Sequence, residues 1–165
     1  MIKMNKRMRD LLSDSVIIEI SKLKNNLTQK LPVLKVIEAK GCVLIDDDSI
    51  DIKTFDIERI IEIYYDRTGF EASHNHIHVG SYLDNKKRNA DEELVLSLKL
   101  LDEWEELLKS YFPLYRIHIV LSFNGVQAVL RFYRLREDES CWIDIDNLEG
   151  YQEEAILVKE ICGSW

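Results

Sequence analysis

His74-Asn75-His76-Ile77-His78 places three imidazoles within five residues. On an extended strand, side chains alternate between faces, so the three rings would share one face and could hold a divalent ion. Completed by a distant carboxylate, that face would make a small metal-dependent hydrolase. Three features weigh against it. Ile77 and Val79 fall on the opposite face and would point to the core, which leaves His74, His76 and His78 toward solvent. No Glu follows within four residues of His78, and the chain is too short for the barrel of about 250 residues in which a His-x-His pair opens a hydrolase site. A solvated histidine face is the expectation, with no metal and no cofactor; the hydrolase stands as the alternative.

Carboxylates form two other groups. Asp46, Asp47, Asp48 and Asp51 imitate a calcium loop, but counting from Asp46 puts Asp51 at the sixth position and Ile57 at the twelfth. The EF-hand needs Gly and Glu there. The expectation is a solvated acidic turn that could meet a partner. The second group runs from Glu137 to Glu160, where nine carboxylates face Lys159 alone, a local net of −8. Trp142 and Tyr151 lie among them. Aromatic rings amid carboxylates suit a surface for a basic protein. Sequence signatures of hydrolases, phosphate loops, dinucleotide sites and thiol redox centres are missing: there is no G-x-S-x-G, G-x-G-x-x-G, H-E-x-x-H or C-x-x-C. Cys42, Cys141 and Cys162 are odd in number, which argues for reduced thiols in a cytoplasmic protein.

The 165 residues fit one domain. The net charge of −8 argues against direct nucleic-acid binding, which runs on excess cation. Nothing approaches the roughly 20 apolar residues of a membrane span, and Met1 to Asp10 lacks the apolar stretch of an export signal. Charge is unevenly spread: residues 1–40 carry nine Lys/Arg against four Asp/Glu, and residues 41–165 thirteen against twenty-six. We therefore read residues 1–31 as a basic helical section and 32–165 as the acidic main body. Lys3, Lys6, Arg7 and Arg9 would dock on another protein, pack on the acidic body, or form a flexible start.

The elements that must position these residues follow from periodicity. Val16, Ile20, Leu23, Leu27 and Leu31 form one stripe of a helix that Pro32 ends. Val33–Glu38 and Cys42–Ile45 read as a hairpin about Lys40-Gly41. Thr54 or Asp56 would cap a helix bearing Ile57, Ile60, Ile61 and Tyr64, with Gly69 just past its end. Phe70 to Leu83 reads as extended. Asp91-Glu92-Glu93 opens a helix that stops near Tyr111, before Pro113. Asn124-Gly125 predicts a two-residue hairpin turn that pairs Phe123 with Val126, Leu121 with Ala128, Ile119 with Leu130 and His118 with Arg131. Further strands are expected at Trp142–Ile145 and Ala155–Ile161. The sum is a single α+β domain, an antiparallel sheet with helices packed on one face.

The chain also resembles a family. Gly69-Phe70-Glu71-Ala72-Ser73-His74-Asn75, the hairpin ending Leu130-Arg131-Phe132-Tyr133-Arg134-Leu135-Arg136, and Trp142 to Tyr151 leading into Glu154-Ala155-Ile156-Leu157-Val158 look like the small immunity proteins of bacterial contact-dependent growth inhibition and other polymorphic toxin systems. That resemblance implies no catalytic residues, a cytoplasmic location, and tight one-to-one binding of a cognate toxin C-terminal domain, commonly a nuclease. An acidic inhibitor could imitate phosphate charge in a cleft built for nucleic acid. The expected contacts are Asp46, Asp47, Asp48, Glu137, Asp138, Glu139, Trp142, Asp144, Asp146, Glu149 and Tyr151.

Overall fold

The structure is a computed structural model that describes residues 1–13, 22, 32–83 and 89–163. The helix read from the stripe Val16 to Leu31 lies outside the described residues, apart from Lys22. The described elements, in chain order, are β1 (Ile2–Met4), α1 (Lys6–Leu11), β2 (Val36–Ala39), β3 (Cys42–Ile45), α2 (Ile57–Tyr64), α3 (Arg67–His74), β4 (His76–His78), α4 (Ala90–Tyr111), β5 (Ile117–Phe123), β6 (Ala128–Arg134) and β7 (Ala155–Ile161). Short 3-10 turns occupy Val79–Tyr82 and Leu148–Gly150.

One sheet carries the molecule. Its five strands run β1-β7-β5-β6-β4, each pair antiparallel, while β2 and β3 form a separate hairpin. The period of two sorts the side chains of the central strands onto two faces. Ile117, Ile119, Leu121 and Phe123 of β5, with Leu130 and Phe132 of β6, meet α4 through Leu100, Leu101, Trp104 and Leu108. The Trp104 ring stands edge-on to Phe132, with centroids 5.7 Å apart. Lys159 emerges from β7 on the same side and pairs with Asp102 and Glu105 of α4. The opposite face is covered as well. Val120, Tyr133, Ile156 and Val158 are buried under Ile143 and Leu148, which come from the connection between β6 and β7. The α+β architecture thus stands, and both faces of its sheet are closed. No helix among the described residues is long and apolar enough to cross a membrane.

Three expectations need correction. The β5–β6 hairpin turns over four residues, not two. Asn124 Oδ1 accepts from the backbones of Val126 and Gln127, at 2.9 and 2.8 Å, and this side-chain turn competes with the tighter one. The register therefore moves by two: Phe123 faces Ala128, Leu121 faces Leu130, and His118 faces Tyr133. A shift of two keeps every side chain on its face, so the apolar matching survives.

Phe70 to His74 is helical, not extended. Tyr65, at φ 72°, breaks the chain after α2, and Asp66 Oδ1 then accepts from Gly69 N at 2.6 Å to start α3. Gly69 lies inside the first turn of a new helix rather than beyond the end of the old one. Trp142–Ile145 forms no strand; it crosses the sheet as turns and sends Ile143 into the core. The Lys40-Gly41 hairpin, the helix ending at Tyr111 and the strand Ala155–Ile161 lie where the sequence puts them. The two hairpin residues have φ of 50° and 79°, the left-handed pair a tight turn requires.

Candidate functional site

The corrected α3 dismantles the three-histidine face. His74 is the last residue of a helix and its Nε2 lies 3.0 Å from the Ile45 carbonyl. His76 and His78 share a face of β4, rings edge-on at 5.4 Å, with His76 Nδ1 2.6 Å from the Ser73 carbonyl. Among the described residues, no group of three or more His, Cys, Asp or Glu is placed to hold a metal ion. The buried residue of that run is Asn75. Its amide donates to the carbonyls of Val43 and Phe132, and its oxygen accepts from Ile45 N at 2.8 Å, so it stitches the β2–β3 hairpin to the main sheet.

The two acidic groups do not meet. Asp46, half-buried, and the exposed Asp47 and Asp48 follow the end of β3, with Asp48 at φ 64°. Asp47 accepts from the Ser49 hydroxyl and backbone, which holds its carboxyl below the usual value. The other end of β3 adjoins Gly41, whose carbonyl takes a 2.7 Å hydrogen bond from Arg136 just before the second group. Four strand residues separate the two ends, roughly 13 Å.

Much of the second group is paired with bases of this chain. The Glu139 side chain is only 8% exposed and accepts from Thr68 N, the Thr68 hydroxyl and Arg67 Nε, at 2.8, 2.7 and 2.6 Å. Burial raises its carboxyl, but these donors outweigh it and hold the group below the usual carboxylate range. Asp138 pairs with Arg67 at 3.2 Å. Asp146 takes Lys3 at 2.6 Å, and Glu149 takes Arg9 at 2.6 Å together with the Lys6 backbone. The basic start of the chain thus packs on the acidic body: β1 joins the sheet edge and Asn5 caps α1 while holding the Glu154 carbonyl at 2.7 Å.

The carboxylates that stay free of ion pairs among the described residues accompany a smaller face around two rings. Trp142 and Tyr151 are exposed, and the structure brings them onto one pocket of about 180 Å3 with Arg131, Ser122 and Glu154. The Arg131 guanidinium lies 4.3 Å from the Trp142 ring centre and donates to the Ala72 carbonyl at 3.1 Å. Tyr151 accepts from Asp144 N through its hydroxyl at 3.2 Å. Glu137 and Glu153 are exposed and make no ion pair among the described residues. Arg131 was missed as a site residue: the two-residue turn paired it with His118, whereas it faces Val120 on β5 and His76 on β4. The carboxylates are displayed on a loop clamped at one end by Glu139 and at the other by Glu149.

Fold and site together define a one-domain α+β protein with an acidic, aromatic surface loop strapped across its sheet. Residues 3–163 match the model of the family described as "Uncharacterized protein PM0498 family", and the chain belongs to that family. It is similar to "Uncharacterized protein PM0498" of Pasteurella multocida (strain Pm70), with 26% identity over 157 residues that cover 87% of this chain and 93% of that protein. No solved structure matches it.

Proposed function

We propose that this chain is an immunity protein of a bacterial polymorphic toxin system, cytoplasmic and without chemistry of its own, that captures a cationic toxin domain one to one. The observation that carries the reading is the face around Trp142 and Tyr151. Two exposed rings share a pocket, and Glu137, Asp144, Glu153 and Glu154 are exposed on the same loop. Rings bury large area at low entropic cost, and unpaired carboxylates steer a cation into place. A nuclease domain is the partner whose charge fits, because it must be basic to hold its substrate. Asp138, Asp146 and Glu149 lie exposed at the margin of this surface, each paired with a base of this chain, and the covered Glu139 fixes the loop that carries it.

The test is capture of the toxin domain encoded beside this chain. A stable equimolar complex is expected, with an association rate that falls steeply as salt rises. Reversing Glu137, Asp144 and Glu153 to Lys together should slow association at least tenfold at low salt, and Trp142→Ala should speed dissociation. Unchanged kinetics in both variants would overturn the assignment of this face, and turnover of a substrate by the purified chain would overturn the reading as a whole.

A further inference from the structure

A second feature runs against the overall charge. A groove of about 530 Å3 opens where the start of β5 and the end of β6 leave the sheet. Arg67, Arg116, Arg134 and Arg136 all line it, in a chain whose net charge is −8. Three of these guanidinium groups have acid partners: Arg67 has Glu139 and Asp138, Arg116 has Glu160 at 2.6 Å, and Arg136 has Glu71 at 2.6 Å. Arg134 has none among the described residues. Its guanidinium lies 3.7 Å from the Tyr115 ring centre, and the Gly41 carbonyl is 3.5 Å from one nitrogen. Tyr115 is itself fixed, stacked on Phe112 and donating through its hydroxyl to Glu38 at 2.7 Å. Among the described residues, the cation is therefore held in place by a ring and not neutralised by an acid.

Arg136 is more enclosed. Its side chain is only 5% exposed and its terminal nitrogens are held by Glu71 and the Gly41 carbonyl, so it adds positive charge at the groove wall while Arg134 offers the open fork.

We propose that this groove binds a small organic phosphate, its phosphoryl oxygens on the Arg134 fork and its body along Leu114 and Leu135. A guanidinium presents two parallel donors that match phosphate oxygens, and a guanidinium pre-set on a ring loses little freedom on binding. The volume lies in the range of small-molecule sites and exceeds what inorganic phosphate fills. Glu137 and Asp138 among the lining residues repel a long polyanion and accept hydrogen bonds from hydroxyl or amino groups. A nucleoside monophosphate has the right charge, size and donors. The proposal does not rest on the toxin reading, since the groove works without a protein partner.

Titration of the full chain with AMP, adenosine, inorganic phosphate and citrate at constant ionic strength tests it, read by thermal shift and by amide chemical shifts. AMP should raise Tm and move the signals of Leu114, Arg134 and Leu135. Adenosine should do neither, and inorganic phosphate should bind more weakly than AMP. R134Q should weaken AMP at least tenfold with little change in the Tm of the ligand-free chain, and R134K, which keeps charge but loses the fork, should fall between. No response to AMP at millimolar concentration overturns the site. Equal AMP affinity in wild type and R134K overturns the role of the fork even if R134Q does not fold. Citrate binding as well as AMP overturns the preference for phosphate.

Discussion

Glu139 and His118 make the sharpest claims at the scale of single residues. Glu139 accepts three hydrogen bonds where α3 begins, so Glu139→Gln removes a charge that Arg67 and Thr68 were arranged to meet. We expect a loss of about 1–3 kcal/mol in denaturant unfolding, with Trp142 fluorescence reporting a loosened loop. His118 is almost fully buried on β5, its Nδ1 2.9 Å from the Tyr133 hydroxyl and its Nε2 3.7 Å from Glu160. Burial pushes its pKa below the ordinary value, and the Glu160 carboxylate offsets this only in part. The unfolded chain therefore takes up this proton first, at about pH 6.5. Stability is fully present above that pH and falls as pH drops from there toward the folded pKa. Unfolding free energies measured from pH 7 to pH 5 should decline in the wild type, and His118→Gln should flatten the decline. An unchanged slope would show that other groups set it.

Elements fail or succeed here through their ends. Gly125 sits at φ 95° in the β5–β6 turn with nothing within 4 Å of where a Cβ would stand, so Gly125→Ala meets backbone strain and no clash. We expect it to cost about 1 kcal/mol, read as a lower midpoint in urea with an unchanged m value. This turn also shows what a sequence discloses. The apolar alternation of β5 and β6 was legible because period two is a local property, and the three- and four-residue spacing of apolar positions in α4 was legible for the same reason. The register was not, because the Asn124 side chain chose between turns of two and four residues. The same holds at Asp66, whose cap starts α3 where alternation suggested a strand, and thereby takes His74 off the face of His76 and His78. Residue types at the candidate site were readable as an acidic and aromatic segment. Which acids stay outward was not, since the groups that engage Glu139, Asp146 and Glu149 come from 72, 143 and 140 positions away.

Taken as a whole, the molecule closes its charge asymmetry upon itself. The basic start lies on the acidic loop through Lys3 and Arg9, so part of the field that the composition promises is cancelled before any partner arrives. Exposed ion pairs contribute little to stability. The double variant Lys3→Ala with Arg9→Ala should therefore change Tm only slightly, yet uncover Asp146 and Glu149 beside the Trp142 face. Capture of a basic domain by this variant should be faster than by the wild type at low salt and equal at high salt; stopped-flow mixing decides it. The strand order carries another consequence. β7 is inserted between β1 and β5, although about 150 residues separate it from β1. While the chain is being synthesised, β5 can pair with β6 as soon as both have emerged, but its other edge waits for the final strand. A ribosome that stalls near residue 154 would leave a half-built sheet with an open, apolar border, the kind of species that a chaperone must shield or a protease remove.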